Sequence, residues 1–315
     1  MAKTKEISRR IKSISSTKKI TRAMEMVAAA KMRKAVEAVL RTRTYANLSW
    51  ETVIHLSAMA SNKGEAMHPL LVKRPETKRV AMILISSNRG LCGGYNANIL
   101  NKAKDSIRKH PEVPVDFVLV GKKGSAVYSQ NYTVAAEFPK SDLLGSVQEV
   151  VPIVSLAIKE FLAGTYDKVF VAYTDFVNAA KQIPRVKQLL PVDVRAEDQY
   201  LGIVGDPKVS VTKELIEEKA QKHVAPKEGF EFIFEPSATE VLDSIIPRLL
   251  EVQVFQAMLE ANASEHSASM SAMHQATEAA TDMVKELTLF YNKARQAGIT
   301  AEIAEISAGA NALLD

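Results

Sequence analysis

The chain has one cysteine, no long apolar run and no secretory features. These shortages argue against disulfides, membrane spans and secretion. Its one cysteine, Cys92, rules out an intramolecular disulfide and argues against a cysteine-based zinc site. The longest strongly apolar run, Val80 to Ile85, is far too short to span a membrane. The N-terminus has no apolar segment like that of a secretory signal. We therefore expect a chain that works in a reducing compartment.

The sequence also lacks the patterns that mark catalytic and nucleotide-binding sites. Asn88–Gly94 (NRGLCGG) follows an apolar run, but Tyr95 and Asn96 stand where a phosphate-binding loop needs Lys and Ser or Thr. The glycine spacing of a dinucleotide-binding fingerprint is absent as well, and Gly121–Ser125 lacks the required glycine frame. The six histidines show no ligand spacing, and no His stands near Cys92. We predict no catalytic, cofactor or metal site and interpret both glycine-rich loops as tight turns.

Two long helical patterns dominate what is present, and the longer one is C-terminal, with no Gly between Pro247 and Gly298. From Leu250 to Ala297 apolar or small residues recur over 47 residues and 13 turns, which predicts an α-helix within Ser237–Asp315. Pro247 stands where a helix former is expected, so the start of this helix stays open. The predicted stripe comprises Leu250, Val254, Met258, Ala261, Ala268, Ala272, Ala276, Ala279, Met283, Leu287, Phe290, Ala294 and Ala297. Small residues favour a closely packed helix pair over a weakly stabilised surface helix.

The N-terminal segment, Met1 to about Ala60, is the second predicted long helix. Its stripe, averaging close to 3.6 residues per step, comprises Ile7, Ile11, Ile14, Thr17, Thr21, Met24, Ala28, Met32, Ala35 and Val39. The first 43 residues carry thirteen Lys or Arg and three Glu, a net charge of +10 within a chain of +5. A transit peptide or a nucleic-acid-binding helix would also be basic. We favour a helix with a solvated basic face that packs on the C-terminal helix.

The middle of the chain alternates between strand and helix patterns. This order predicts right-handed β-α-β units and a mostly parallel, Rossmann-like sheet. Predicted strands are Arg79–Ser86, Val115–Val120, Tyr132–Phe138 and Asp167–Tyr173, and predicted helices are Asn96–Lys109, a short one from Gly121 to about Gln130, and Val147–Ala163 with a start or kink near Pro152. Between Leu189 and Pro236 we expect a charged helix at Thr212–His223 and an edge strand at Gly229–Glu235.

The fold class follows as α/β: a central sheet domain, 63–236, plus a long antiparallel coiled coil of helices 1–62 and 237–315. Both helices leave the same domain, one near Ala60 and the other near Ala238. In an antiparallel pair the numbers of two residues that lie opposite each other should therefore sum to roughly 298. Residues after Gly298 would then have no partner helix, yet Ile299, Ile303 and Ile306 continue an apolar stripe. An exposed apolar stripe on a lone helix indicates an interaction surface.

Three segments resemble the gamma subunit of F-type ATP synthase of the bacterial or photosynthetic type. Ile11–Arg33 (IKSISSTKKITRAMEMVAAAKMR) is similar to its N-terminal helix, and Arg89–Gly94 (RGLCGG) to its central turn. Tyr291–Ala310 (YNKARQAGITAEIAEISAGA) is similar to its C-terminal signature. The resemblance implies a non-catalytic rotor, the central stalk, which couples proton flow through the membrane sector to ATP synthesis or hydrolysis on alpha and beta subunits.

The same resemblance implies the partners and the contact residues. The partners would be the alpha and beta subunits of the catalytic ring, the epsilon subunit and the ring of c subunits, with no cofactor and no nucleic acid. It would place Met24 opposite acidic loops of the beta subunit. It would place Arg295, Gln296, Thr300 and Glu302 inside the ring of alpha and beta subunits. The protein would be peripheral, on the cytoplasmic side of the cell inner membrane or on the thylakoid membrane. The segment around 192–229 resembles an insertion that carries a cysteine pair in plants; this chain has none there.

Two other functions stay open on the residues alone, a nucleotide-binding α/β enzyme and a basic coiled coil that binds nucleic acid. A nucleic-acid binder would show affinity that falls steeply with salt, because binding releases counterions from the phosphates. A nucleotide-binding enzyme would bind ATP or NAD in isolation.

The isolated chain is expected neither to bind nor to hydrolyse ATP, because no loop supplies the lysine and hydroxyl that hold phosphates and magnesium. Equilibrium dialysis against labelled ATP with magnesium checks this, and saturable tight binding would contradict it.

Overall fold

The computed structural model describes residues 2–62, 68–192 and 238–312, with side chains at 4–42, 68–192 and 240–308. The elements predicted at Thr212–His223 and Gly229–Glu235 lie outside the described residues. The chain divides into two compact units. We call Met1–Ala29 with Ser269–Asp315 the shaft unit, and Ala30–Ala268 the sheet unit.

The helices and strands predicted within the described residues are confirmed, and the structure adds one strand, β5, that was not predicted. The helices are α1 (Ala2–Asn62), α2 (Tyr95–Arg108), α3 (Lys122–Tyr128), α4 (Val151–Leu162) and α5 (Ala238–Ala312), and a short 3-10 turn lies at Val147–Glu149. The strands are β1 (Val80–Ile85), β2 (Val115–Val120), β3 (Val134–Phe138), β4 (Lys168–Phe176) and β5 (Gln182–Leu190).

Pro247 does not mark the beginning of the last helix. α5 begins at Ala238 and contains Pro247 in its interior. A proline inside a helix removes one backbone hydrogen bond and costs about 3 kcal/mol. The neighbours Ile246, Leu249 and Leu250 are almost wholly buried in the core of the sheet unit. Since burying such a side chain contributes about 1.5–3 kcal/mol, their packing offsets the cost of the proline.

The sheet has the strand order β3-β2-β1-β4-β5. β1 pairs in parallel with β2 (Val80 with Val115) and with β4 (Val80 with Lys168), and β3 pairs in parallel with β2. β5 runs antiparallel to β4 at the edge. The sequence did not predict β5, because Pro184 and charged residues interrupt its apolar pattern. Such residues suit an edge strand, one side of which needs no partner.

Helices cover both faces of the sheet, which is why every residue of β1 is buried. On one face, β1 and β2 pack against α2 and α3. On the other face they pack against α4, the first part of α5 and Val39 of α1. The first core includes Met82, Leu84, Phe117, Leu119, Ile99 and Tyr128, and the second includes Ile83, Ile85, Val118, Val171, Ile153, Leu250 and Val254.

In the shaft unit, α1 and α5 pack antiparallel along a seam of buried and half-buried residues. Its positions step alternately by three and four, the 3.5-residue period of a left-handed coiled coil. On α1 they are Thr4, Ile7, Ile11, Ile14, Lys18, Thr21, Glu25 and Ala28; on α5 they are Met270, Met273, Thr277, Ala280, Val284, Leu287, Tyr291 and Ala294.

Hydrogen bonds across the seam confirm the predicted register. The Thr277 hydroxyl donates to the Thr21 hydroxyl at 2.8 Å, and these residue numbers sum to 298. One residue off that register, Nδ1 of His274 lies 3.1 Å from Glu25 Oε1. Within the sheet unit, Thr42 Oγ1 donates to Gln256 Oε1 at 2.6 Å, again with a sum of 298.

The predicted stripes were partly wrong about which residues face the seam. Thr17 and Met24 on α1, and Ala279 and Met283 on α5, are exposed, as are Phe290 and Ala297. The prediction assumed a straight helix of 3.6 residues per turn. A seam of period 3.5 drifts by about 20° per heptad against such a helix, so the true seam shifts to the next residue. Lys18 and Glu25 were also passed over because they are charged.

Ala280 and its neighbour Ala279 test this phase, because only Ala280 faces the seam. Ala280→Leu should lower the free energy of unfolding by about 1–3 kcal/mol through overpacking. Ala279→Leu should change it by less than about 0.5 kcal/mol, since it adds the same side chain to an exposed position. Denaturant titrations of the full chain compare them. Equal effects, or a larger effect of Ala279→Leu, would contradict the observed phase.

Candidate functional site

Parallel α/β sheets bind ligands where the strand order reverses, at the carboxyl ends of the strands. In this sheet the reversal lies between β1 and β4, because β1 leads to β2 on one side and pairs with β4 on the other. The loop Asn88–Gly94 follows β1 at this point. Any nucleotide site in the sheet unit would be expected there.

The loop after β1 is closed by its own hydrogen bonds. The Asn96 side chain, in the first turn of α2, accepts from the Ser87 backbone N–H at 3.1 Å and donates to the Ser87 hydroxyl at 2.7 Å. It also donates to Cys92 Sγ at 3.1 Å. Leu91 (φ 65°) and Gly93 (φ 53°) give the loop its sharp turn. The start of α2 is thus filled by protein groups, which supports the prediction of a tight turn.

The second glycine-rich loop also has a structural reason for its glycines. A Cβ on Gly121, which has a φ of 97°, would lie 2.3 Å from the Ser86 carbonyl oxygen. The Gly124 N–H donates to Ser86 Oγ at 2.8 Å. These glycines allow α3 to approach the end of β1, so the loop is a packing contact.

α5 covers the crevice itself. Lys140 is buried, forms an ion pair with Glu265 of α5, and lies 5.7 Å from the centre of the Tyr95 ring. Asn262 of α5 donates from Nδ2 to the Ser141 carbonyl at 3.0 Å. The space in which related sheets hold a ligand is therefore occupied by this chain's own C-terminal helix.

Cys92 is not placed to act as a nucleophile. Its thiol is buried, and burial is the main reason that its pKa is raised, although hydrogen bonding from Ser87 opposes the shift. A raised pKa keeps the sulfur protonated and weakly reactive. No group of three or more His, Cys, Asp or Glu in the described part of the chain could hold a metal ion.

A cavity of about 360 Å³ lies at the opposite, amino ends of β1, β2 and β4. Its apolar floor includes Met82 and Phe170, and its rim includes His110, Glu112 and Lys168. It lies far along the strands from the loops that the sequence singled out.

The exposed apolar side chains instead concentrate in the shaft unit, and the residues of α5 nominated from the sequence are among them. Ile299, Ile303 and Ile306 are 49%, 62% and 73% exposed. The polar residues nominated with them, Arg295, Gln296, Thr300 and Glu302, are exposed as well. All seven follow Ala294, the last described seam residue of α5. We call 295–308 the tip.

Met24 belongs to a second exposed apolar surface, on α1. Ile20, Met24 and Val27 follow one another at i, i+4 and i+7, which places them on one face of the helix. Their side chains are 59%, 38% and 55% exposed. Only Met24 was nominated from the sequence. The spacing of the other two could have revealed them, because they are large apolar residues outside the predicted stripe.

Glu25 lies in the seam beside this second surface. Glu25 accepts from Arg22 Nη1 at 2.9 Å and faces His274. Partial burial tends to raise the pKa of Glu25, but hydrogen bonds from Arg22 and His274 outweigh it and leave that pKa below its usual range. Glu25 is therefore ionised at neutral pH, and the position next to Met24 carries a negative charge.

Comparison with known proteins gives one consistent family. The family model described as ATP synthase matches residues 3–313. The chain is 40% identical to the ATP synthase gamma chain of Legionella pneumophila (strain Corby) over 319 residues, covering 99% of this chain and 100% of the relative. It is 38% identical to that of Chloroflexus aurantiacus (strain ATCC 29366 / DSM 635 / J-10-fl), with 99% of each covered.

The fold is similar to that of a solved ATP synthase rotor. A chain of the Euglena gracilis mitochondrial ATP synthase rotor, in rotational state 1, superposes with a TM-score of 0.59 at 18% identity. The match covers 95% of this chain and 99% of that one.

Proposed function

Because this chain belongs to the ATP synthase gamma chain family, we propose that its tip and the Met24 surface are the places where it contacts the catalytic ring of alpha and beta subunits. The chain is a non-catalytic central-stalk subunit of the F-type ATP synthase. It is a peripheral part of a membrane-associated complex. None of the described helices is long and apolar enough to cross a bilayer.

The exposure of the tip is the observation that carries the proposal. α5 stays helical to Ala312, while the described side chains from Arg295 to Ala308 are all exposed. Three isoleucines spaced by four and three residues on such a helix leave apolar area in water, which a partner would bury. A ring of subunits around the tip provides apolar surface on every side.

The remaining partners follow from the same premise. In this proposal the central stalk also binds the epsilon subunit and stands on the ring of c subunits, on the cytoplasmic side of the inner membrane or on the thylakoid membrane. Proton flow turns the c subunits, and the shaft carries the rotation into the alpha–beta ring. There the tip and the Met24 surface change partners as they turn, so that each beta site opens and closes in sequence.

Charge supports acidic surfaces as partners of α1. The first 43 residues have a net charge of +10. In the shaft unit, Arg9, Lys12 and Lys19 are exposed. Exposed basic side chains along α1 attract acidic loops and steer their approach.

Three substitutions together, Ile299→Ala, Ile303→Ala and Ile306→Ala, test the tip. We expect the melting temperature of the isolated chain to stay within about 2 °C, because these side chains are exposed in it. Binding to a reconstituted alpha–beta ring should weaken, since each fully buried Ile is worth about 1.5–3 kcal/mol. Binding is measured by surface plasmon resonance.

Leu287→Ala is the matched control for the tip. Leu287 is a seam residue and half-buried. Its truncation to alanine should therefore lower the stability of the isolated chain and weaken ring binding less than the triple variant does. A triple variant that binds the ring as tightly as the unchanged chain would refute the proposed role of the tip.

Met24→Lys tests the second surface, with Met26→Lys as its control. Met26 is also exposed on α1, but it lies on another face of the helix. A lysine at 24 beside an acidic loop adds an attraction of about 1–4 kcal/mol at 4 Å, which holds the rotor in one orientation. ATP-driven proton pumping in membranes should slow more with Met24→Lys than with Met26→Lys, with equal assembly. Equal pumping rates would exclude a special role for position 24.

A further inference from the structure

Two carboxyl groups face each other inside the sheet unit, where neither reaches water. Glu260 on α5 is 0% exposed and Asp175 near the end of β4 is 2% exposed. The two side chains are in hydrogen-bonding contact. Glu260 Oε2 and Asp175 Oδ1 are buried, and neither accepts a hydrogen bond from an N–H or O–H donor. Two ionised carboxylates cannot hydrogen-bond to each other, so this contact requires one proton between them.

The other two oxygens of the pair have partners of different charge. Arg185 Nε of β5 lies 2.7 Å from Asp175 Oδ2 as an ion pair. Glu260 Oε1 accepts a hydrogen bond from the neutral amide Nε2 of Gln256, at 3.0 Å. That amide is oriented by Thr42 of α1, whose hydroxyl donates to Gln256 Oε1 at 2.6 Å. The guanidinium of Arg185 therefore stabilises a negative charge on Asp175, and Glu260 is the better place for a proton.

The charged groups around the pair agree with this assignment. Burial is the largest cause that raises the pKa of Glu260 to about 8, and the negative charge of Asp175 is the second. The hydrogen bond from Gln256 and the charge of Lys187 oppose this shift. The titratable and charged groups that face Glu260 are Asp175 from β4 and Lys187 from β5, with Arg185 of β5 behind Asp175. α1 contributes only the neutral Thr42, through Gln256.

We propose that Glu260 and Asp175 form a buried proton-binding site, in which Glu260 keeps one proton and donates a hydrogen bond through it to the Asp175 carboxylate, and that loss of this proton loosens α5 from the β4–β5 hairpin. The protonated pair extends the hydrogen bonds from Thr42 of α1 through Gln256 and Glu260 of α5 to Asp175 of β4, and the ion pair of Asp175 with Arg185 continues to β5. Without the proton, two like charges meet in an interface from which water is excluded, and separation of α5 from β4 is the simplest relief. This proposal goes beyond the rotor function and does not depend on it.

The sign of the pH dependence follows from linkage. Glu260 is protonated in the folded chain up to its raised pKa, whereas in the unfolded chain it loses its proton near pH 4.3. The stabilisation is complete below the unfolded value. Between that value and about pH 8 the folded state binds one more proton than the unfolded state, so the unfolding constant rises about tenfold per pH unit. Above the folded pKa this dependence ends.

A direct test uses the unaltered full chain labelled with ¹³C at the glutamate side-chain carboxyl carbon. One resonance should titrate near pH 8, far from the others, and Glu260→Gln should remove it. If no glutamate titrates above about pH 6, Glu260 is ionised in the folded chain and the proposal is wrong. This measurement stands even if the variant does not fold.

A second test measures denaturant unfolding of the full chain and of Glu260→Gln between pH 6 and 9. Glutamine keeps a donor toward Asp175 at every pH. The ratio of the wild-type unfolding constant to that of the variant should rise about tenfold per pH unit up to about pH 8 and then level off. Glu286→Gln is the matched control, because Glu286 is exposed on the same helix, and its ratio should stay constant. A constant ratio for Glu260→Gln would overturn the proposed proton-binding site.

Discussion

The burial of α5 changes along its length from complete to none, and the rest of the structure depends on that change. Between Leu249 and Ser264 nearly every side chain is buried, so this part of the helix is core on all sides. From Met270 to Ala294 the covered residues are the seam and a few positions beside it, and from Arg295 to Ala308 every side chain is exposed. A helix packed on all sides cannot slide or rotate without opening the core, because protein interiors are close-packed. That rigidity suits a helix that serves as a rotor axis.

The seam of the shaft unit is specified by polar contacts more than by apolar area. Ala28, Ala280 and Thr277 are small, so their burial contributes little. The hydrogen bond between Thr21 and Thr277, and the contact of Glu25 with His274, are satisfied in one register only. Polar residues at seam positions fix the pairing of coiled coils at some cost in stability. The Thr21–Thr277 pair has the sum of 298, and the Glu25–His274 pair lies one residue from it.

The sheet unit shows how a fold that often binds ligands can serve another purpose. Its strand order creates the usual crevice, but Lys140, Glu265 and Asn262 close it by joining the β3–α4 connection to α5. The same residues that block a ligand attach the long helix to the sheet. Function here follows from the contacts at the crevice and along the helices, and the fold class alone would not reveal it.

The sequence alone determined the elements whose signals are local, and the tertiary structure decided what depends on residues far apart in the chain. Helical periodicity located α1 and α5, apolar runs located β1 and β2, and chain geometry gave the register of 298 and the exposed Ile303. Periodicity could not determine which residues face the seam. Coiled-coil packing follows a period of 3.5 residues instead of 3.6, and it places the charged residues Lys18 and Glu25 in the seam. β5 escaped notice because edge pairing with β4 tolerates Pro184. Glu260 and Asp175 stand 85 positions apart, and only their meeting in a dry interface changes the chemistry of either one.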